Sequence, residues 1–214
     1  MIKAVVFDWG GVLAGNVVGA AREVEVRFGL APGTLPGLLG LVPYDTDPTN
    51  LWHRRELGRA TGLEWAEWYC ARLAAAGGPT IAAEVMMASE RDRFRATPNQ
   101  PMLDTVTRLR DAGYRLAICT NNFIETGDVW RAGLPLDAFD AVVVSCEVGL
   151  RKPDLAMYDH VTKTLGVPAA ATVLLDDFPA NVAGARAAGW HAIQVEADLH
   201  GAIATLDALL GEAE

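Results

Sequence analysis

The sequence predicts an α/β fold, in which helices cover a sheet of about five parallel strands and a helical insertion interrupts the chain after the first of them. Three observations predict it. The C-terminal half repeats a helical stretch, a glycine and a short apolar run three times. Those runs are continuously apolar rather than alternating, the pattern of strands buried on both faces of a parallel sheet. From roughly Asn16 to Phe94 no comparable run occurs, and the chain there is rich in Trp, Arg and Glu.

Taken in order, Ala4-Val5-Val6-Phe7 is the first strand, stopped by the charge at Asp8. Helices of the insertion are expected to begin near Val17, Thr49, Thr61 and Thr80, with Pro32, Gly33, Pro36 and Gly37 marking a loop between the first two. Thr97-Pro98-Asn99-Gln100-Pro101 reads as the return linker. Leu103 to Ala112 is the next helix, Gly113 its left-handed cap, and Tyr114-Arg115-Leu116-Ala117-Ile118 the second strand. Val142-Val143-Val144 is the third strand. Leu155 to Leu165 with Gly166 leads to Thr172-Val173-Leu174-Leu175, and Asn181 to Ala188 with Gly189 leads to Trp190-His191-Ala192-Ile193-Gln194-Val195. The expected division is a core of residues 1–15 and 95–214 with a helical unit, 16–94, inserted after the first strand.

A chain of 214 residues buries roughly 70% of its unfolded surface, so it needs no disulfide or structural metal to hold a core. Its 18 Lys and Arg against 27 Asp and Glu give a net charge of -9, which argues against nucleic acid as a partner, since that requires a basic stripe. No stretch approaches the ~18 apolar residues of a membrane span, and the opening apolar run is too short for a signal peptide. The expectation is a cytoplasmic protein that engages neither nucleic acid nor membrane. Cys70, Cys119 and Cys146 form no CxxC pair and no even framework, and read as reduced thiols in or near the core.

In an open parallel sheet, ligands bind beyond the carboxyl ends of the strands. Here those positions hold Asp8, then Thr120 with Asn121 and Asn122, then Arg151 and Lys152, then Asp176 with Asp177. Each alone has a structural reading as a cap, a satisfied hydroxyl or a solvated charge. Together they are harder to explain that way, because converging carboxylates repel one another unless a cation neutralises them. A hard ion such as Mg²⁺ takes one or two carboxylates and completes its shell with water or phosphate oxygens, so phosphate is the natural substrate group.

Four segments, Phe7-Asp8-Trp9-Gly10-Gly11-Val12-Leu13, Ile118-Cys119-Thr120-Asn121, Arg151-Lys152-Pro153-Asp154 and Leu174-Leu175-Asp176-Asp177-Phe178-Pro179-Ala180-Asn181, resemble in order and spacing the motifs of the haloacid dehalogenase-like (HAD) hydrolase superfamily. The stretch Glu56-Leu57-Gly58-Arg59-Ala60-Thr61 with Trp65 is similar to part of the helical cap of its phosphatase-like branch. The resemblance implies a Rossmann-like three-layer core with an inserted α-helical cap. It implies Asp8 as the nucleophile forming an aspartyl-phosphate, Thr120 and Asn121 as phosphoryl or substrate contacts, and Lys152 as the charge-neutralising cation. It further implies Mg²⁺ held by Asp8, the carbonyl of Gly10 and Asp177, with Asp176 and Asn181 behind them. The implied partner is a small phosphorylated metabolite.

One departure is visible. Most phosphatases of the superfamily carry an acid/base Asp two residues after the nucleophile, where this chain has Gly10. Glycine keeps the carbonyl, but general acid–base help worth ~10²–10⁴ in rate is missing. The rival readings are therefore a slow or inactive phosphate-binding relative and a metal-independent 2-haloacid dehalogenase, whose halide leaves without a proton. Asp176-Asp177 weighs against the dehalogenase, since uncompensated charge there would blunt Asp8. A phospho-acceptor receiver domain has similar residues but places its acidic pair at the first strand and lacks the insertion. Within the insertion, Trp65 and Trp68 are expected in its core, and His53, Arg54 and Arg55 on a solvated face, with Trp52 a further candidate for substrate contact.

Overall fold

The computed structural model describes residues 1–15, 25–26, 29–41, 44, 47–93, 97–196 and 198–211. Contacts divide the chain into two compact units. One comprises Met1–Gly15, Thr97–Asn121 and Gly133–Glu214, the other Asn16–Ala96 and Asn122–Ala132. The eleven residues that follow Asn121 thus group with the insertion rather than with the sheet.

The first unit is built on five parallel strands in the order β3-β2-β1-β4-β5. These are β1 (Ala4–Phe7), β2 (Arg115–Thr120), β3 (Ala141–Val144), β4 (Thr172–Asp176) and β5 (His191–Gln194). Every residue of β1 is fully buried, as its unbroken apolar run requires of a central strand covered on both faces. The chain leaves β1 toward β2 and β3 on one side, then returns to its other side with β4. Asp8 therefore stands at the point where strand order reverses, the usual place for a ligand in an open α/β sheet.

Helices Gln100–Asp111, Leu155–Leu165 and Pro179–Ala187 precede β2, β4 and β5. Gly113, Gly166 and Gly189 follow them with φ of 86°, 66° and 83°, the left-handed conformation that closes a helix. On one sheet face Val6, Ala117, Cys119 and Leu174 pack with Met157, Tyr158, Val161 and Trp190. A last helix, Leu199–Leu210, has no counterpart among the elements expected from sequence, where Gly201 and Thr205 dilute its helical pattern. Its Asp207 pairs with Arg108 of the Gln100–Asp111 helix.

In the second unit, Asn50 caps Leu51–Glu56 by accepting from Trp52 N at 2.9 Å. Thr61 and Glu64 form a capping box at the start of Gly62–Ala75, and a further helix spans Ala83–Arg93. The helix expected near Val17 lies outside the described residues. The expected Pro32–Gly37 loop instead contains a single helical turn, Thr34–Leu38. Pro36 is tolerated within a first turn, and the Glu25 carboxylate accepts from Gly33 N (3.0 Å) and Leu35 N (2.9 Å) at its start. Leu35, Trp65, Ala66, Tyr69, Cys70, Leu73 and Met86 form this unit's core. No helix among the described residues is long and apolar enough to cross a membrane.

Candidate active site

The register Phe7↔Leu175 sets Asp8, just past β1, beside Asp176, the last residue of β4, and Asp8 N donates to Leu175 O at 2.9 Å. Thr120 ends β2 opposite Val144. It is buried, and its hydroxyl makes no hydrogen bond among the described residues. Lys152 comes from the loop between β3 and β4, and its side chain is entirely buried.

Lys152 Nζ lies 3.0 Å from Asp8 Oδ1 and 2.5 Å from Asp176 Oδ2. Asp8 Oδ1 also accepts from Trp9 N at 2.7 Å. The carboxylate of Asp176 is fully engaged: Oδ1 accepts from Phe178 N (2.9 Å) and Asn181 Nδ2 (3.0 Å), and Oδ2 takes Lys152. Asn181 is held in turn by Tyr158, whose hydroxyl donates to the Asn181 carbonyl at 2.7 Å. Asp176 and Asn181 therefore anchor Lys152. Asn121, expected to touch substrate, has its carboxamide in a reciprocal pair with the Lys152 backbone: Nδ2 donates to Lys152 O and Lys152 N donates to Oδ1, both at 2.9 Å.

Ligand oxygens of Asp8, Asp176 and Asp177 all lie within 4.8 Å of one another. One buried ammonium serves this cluster, and burial among like charges raises both Asp8 and Asp177. Burial, with repulsion from Asp8 and Asp176, pushes Asp177 up to about 8. Burial also raises Asp8, to about 6, because the attraction of Lys152 falls short of compensating it. The Lys152 ammonium is disfavoured by burial, yet Asp176 and Asp8 outweigh this and hold its pKa well above the usual lysine value. The donor set fits a hard divalent cation. Asp176 is held by Lys152, Phe178 N and Asn181, and the carboxylates of Asp8 and Asp177 would hold the cation.

The turn after β1 is shaped to admit Asp177. Gly11 has φ of +74°, and a Cβ there would stand 2.2 Å from Asp177 Oδ2, so only glycine fits. Gly10 is not among the glycines of positive φ and forms an isolated bridge with Ala14.

A family model for haloacid dehalogenase-like hydrolases matches residues 2–189. The chain belongs to the haloacid dehalogenase-like hydrolases. Mouse acyl-CoA dehydrogenase family member 10 is 31% identical over 213 residues, 98% of this HAD-like hydrolase but 19% of the mouse protein. The glyceraldehyde 3-phosphate phosphatase of Methanothermobacter thermautotrophicus is 31% identical over 110 residues, 50% of this chain and 47% of that enzyme. The HAD-like chain thus spans about a fifth of the mouse protein, and its match to the phosphatase covers less than half of that enzyme. Among solved structures, L-2-haloacid dehalogenase from Xanthobacter autotrophicus is 25% identical with a TM-score of 0.64, covering 100% of this chain and 84% of that one. A HAD family enzyme from Bacteroides thetaiotaomicron in complex with magnesium and inorganic phosphate shares the fold at 17% identity and a TM-score of 0.61, over 92% and 96% of the two chains.

Sequence reasoning missed Gly11 and Tyr158, which act by shape and by a hydrogen bond to the Asn181 backbone. A glycine beside the motif glycine was the only signal for Gly11. The inserted unit of this HAD-like hydrolase brings corrections. His53 and Arg55, expected on a solvated face, are 5% and 2% exposed. The Arg55 guanidinium lies 4.1 Å from the Phe123 ring centroid and 4.7 Å from that of Trp65. Its Nε meets Glu125 Oε2 at 3.3 Å, because aromatic faces and a carboxylate can receive a weakly hydrated cation. Trp65 is core, as expected, Trp68 packs against that core, and Arg54 is exposed. Asn122 caps the following turn, accepting from Phe123 N at 2.8 Å and Thr126 Oγ1 at 2.6 Å.

Proposed function

We propose that this HAD-like hydrolase is a Mg²⁺-dependent phosphatase of small phosphomonoesters that works through an aspartyl-phosphate on Asp8. The observation that carries the reading is Asp177. A third carboxyl, in room that Gly11 leaves it, has its ligand oxygen within 4.8 Å of those of Asp8 and Asp176, and such a set of hard oxygens suits a divalent cation. A phosphatase among the relatives supports the same reading.

An Asp8 oxygen attacks phosphorus in line with the ester oxygen, forming an O–P bond to the carboxylate as the bond to the alcohol breaks. Water then cleaves the acyl-phosphate, regenerating Asp8 and releasing inorganic phosphate. Thr120 offers its hydroxyl to a phosphoryl oxygen, and Lys152 lends its charge to Asp8 and the transferring group while Asp176 and Asn181 keep it in place. Such a reaction is governed by positioning and charge neutralisation. Asp8, Asp177 and the Gly10 carbonyl would hold Mg²⁺, which would supply the positive charge that keeps Asp8 anionic beside its neighbours. The departing alcohol takes its proton from water or from the substrate, since Gly10 offers none, so turnover of alkyl phosphates is slow.

Hydrolysis of a phosphomonoester panel with Mg²⁺ and with excess EDTA tests the reading. Phosphate release that requires Mg²⁺ is expected. Chloride release from 2-chloropropionate at full rate in EDTA would replace it with the dehalogenase reading, which the Xanthobacter enzyme's similarity and Gly10 favour.

A further inference from the structure

We infer that Asn121 is a positioning residue that holds Lys152 by its backbone, so that the ammonium meets the transferring phosphoryl group at a fixed place; this rests on the phosphatase reading. Asn121 lies one residue past β2, and its carboxamide presents a donor and an acceptor side by side, like a peptide unit. Lys152 takes both, its carbonyl accepting from Nδ2 and its N–H donating to Oδ1, each at 2.9 Å. Gly184 closes the next residue from the Pro179–Ala187 helix: a Cβ there would stand 2.6 Å from the Pro153 carbonyl oxygen and 2.8 Å from Pro153 Cβ. Lys152 and Pro153 are therefore gripped by a carboxamide at one residue and a bare helix face at the next.

The grip matters because Asp8 and Asp176 hold only the ammonium end of Lys152, and the backbone end needs an anchor of its own. The four-carbon stem of the lysine is flexible, and Asp8 and Asp176 would follow a shifted Nζ only by opening the bonds that Phe178 and Asn181 make to Asp176. Misplacing a catalytic group by about 1 Å can cost ~10²-fold in rate. With one donor and one acceptor of its amide in these bonds, Asn121 acts on the reaction through Lys152.

A double-mutant cycle separates the two roles. Hydrolysis of p-nitrophenyl phosphate with Mg²⁺ is measured for the wild type, Asn121→Ala, Lys152→Met and the double variant, with calorimetry of inorganic phosphate binding. Asn121→Ala is expected to lower kcat about tenfold with KM changed less than about twofold, and to add less than about twofold once Lys152 is replaced. Losses that multiply in the double variant, or a raised KM at unchanged kcat, would overturn the inference and return Asn121 to substrate contact. Lys152→Gln, which keeps a donor for Asp176, serves as the background if Lys152→Met does not fold. Independently, hydrogen exchange of the Lys152 backbone amide should be protected in the wild type and faster in Asn121→Ala; unchanged protection also overturns it. A wild-type chain that neither hydrolyses phosphomonoesters nor binds phosphate with Mg²⁺ overturns the phosphatase reading and the phosphoryl role of Lys152. Loss of amide protection in Asn121→Ala would still support the clamp.

Discussion

Asp8→Asn keeps the volume of the side chain and removes one charge from a cluster of three buried or half-buried carboxyls. Turnover should vanish while the thermal midpoint stays equal or rises, because the substitution relieves repulsion in a buried cluster; a variant with near-normal activity would exclude a covalent role for Asp8. Two adjacent glycines have opposite outcomes. Gly11→Ala would place a left-handed L-residue, costing about 1–2 kcal/mol, and would drive its Cβ into Asp177, so both stability and Mg²⁺ affinity should fall. Gly10 has no positive φ to defend, so Gly10→Asp should fold. It should also speed hydrolysis of alkyl phosphates, whose poor leaving groups need a proton, far more than that of p-nitrophenyl phosphate. A folded Gly10→Asp that gains nothing on alkyl phosphates would show that protonation is not limiting. At this scale the sequence displayed the charged residues, since strand ends in a parallel sheet point to them. It hid what the carboxamide of Asn121 does, because a donor and an acceptor serve a substrate or a backbone equally well.

Elements whose boundaries rest on local chemistry were the most legible. Thr61 and Glu64 stand three residues apart at the start of Gly62–Ala75, and the reciprocal bonds are present, Glu64 N to Thr61 Oγ1 at 3.2 Å and Thr61 N to Glu64 Oε2 at 2.7 Å. Removing the hydroxyl in Thr61→Ala should cost about 1 kcal/mol, read as a lower denaturation midpoint. Equal stability would mean that packing of Trp65 and Tyr69 alone sets this helix. The five strands could be found because continuous burial demands continuous apolar runs. Segments determined by distant partners could not. Arg55 follows His53 and Arg54 in a polar run that reads as solvated, and Phe123 and Glu125, some seventy residues on, join Trp65 in making it an interior residue. The same separation concealed the grouping of Asn122–Ala132 with the insertion. Glu125 accepts from Gly62 N at 2.5 Å as well as from Arg55, so Glu125→Ala should lower the thermal midpoint more than Thr61→Ala does. A smaller loss would show that aromatic stacking, not the carboxylate, keeps Arg55 in place.

For the whole molecule, the acidic balance of -9 makes attraction of an anionic substrate a local matter, confined to Lys152 and whatever cation Asp8 and Asp177 hold. That same cluster couples the stability of the molecule to pH. Asp8 and Asp177 have folded pKa values of about 6 and about 8, both above the ordinary 3.8. The folded state therefore binds protons that the unfolded chain has already released. Their contribution to stability is fully present below the ordinary carboxyl pKa and is lost as pH rises through about 6 for Asp8 and about 8 for Asp177. Lys152, raised well above its usual value, stays charged throughout this window. In EDTA the thermal midpoint should fall between pH 5 and 8.5 by more than it does in Asp8→Asn, which has one fewer group to titrate. Mg²⁺ competes with those protons, so the stabilisation it confers should be small near pH 5 and grow as each carboxyl ionises. Midpoints measured against pH, with Mg²⁺ and with EDTA, should diverge toward the alkaline side. Parallel curves, or curves that converge there, would mean that no divalent cation shares these carboxylates and that the excess negative charge beside Asp8 has some other counterpart.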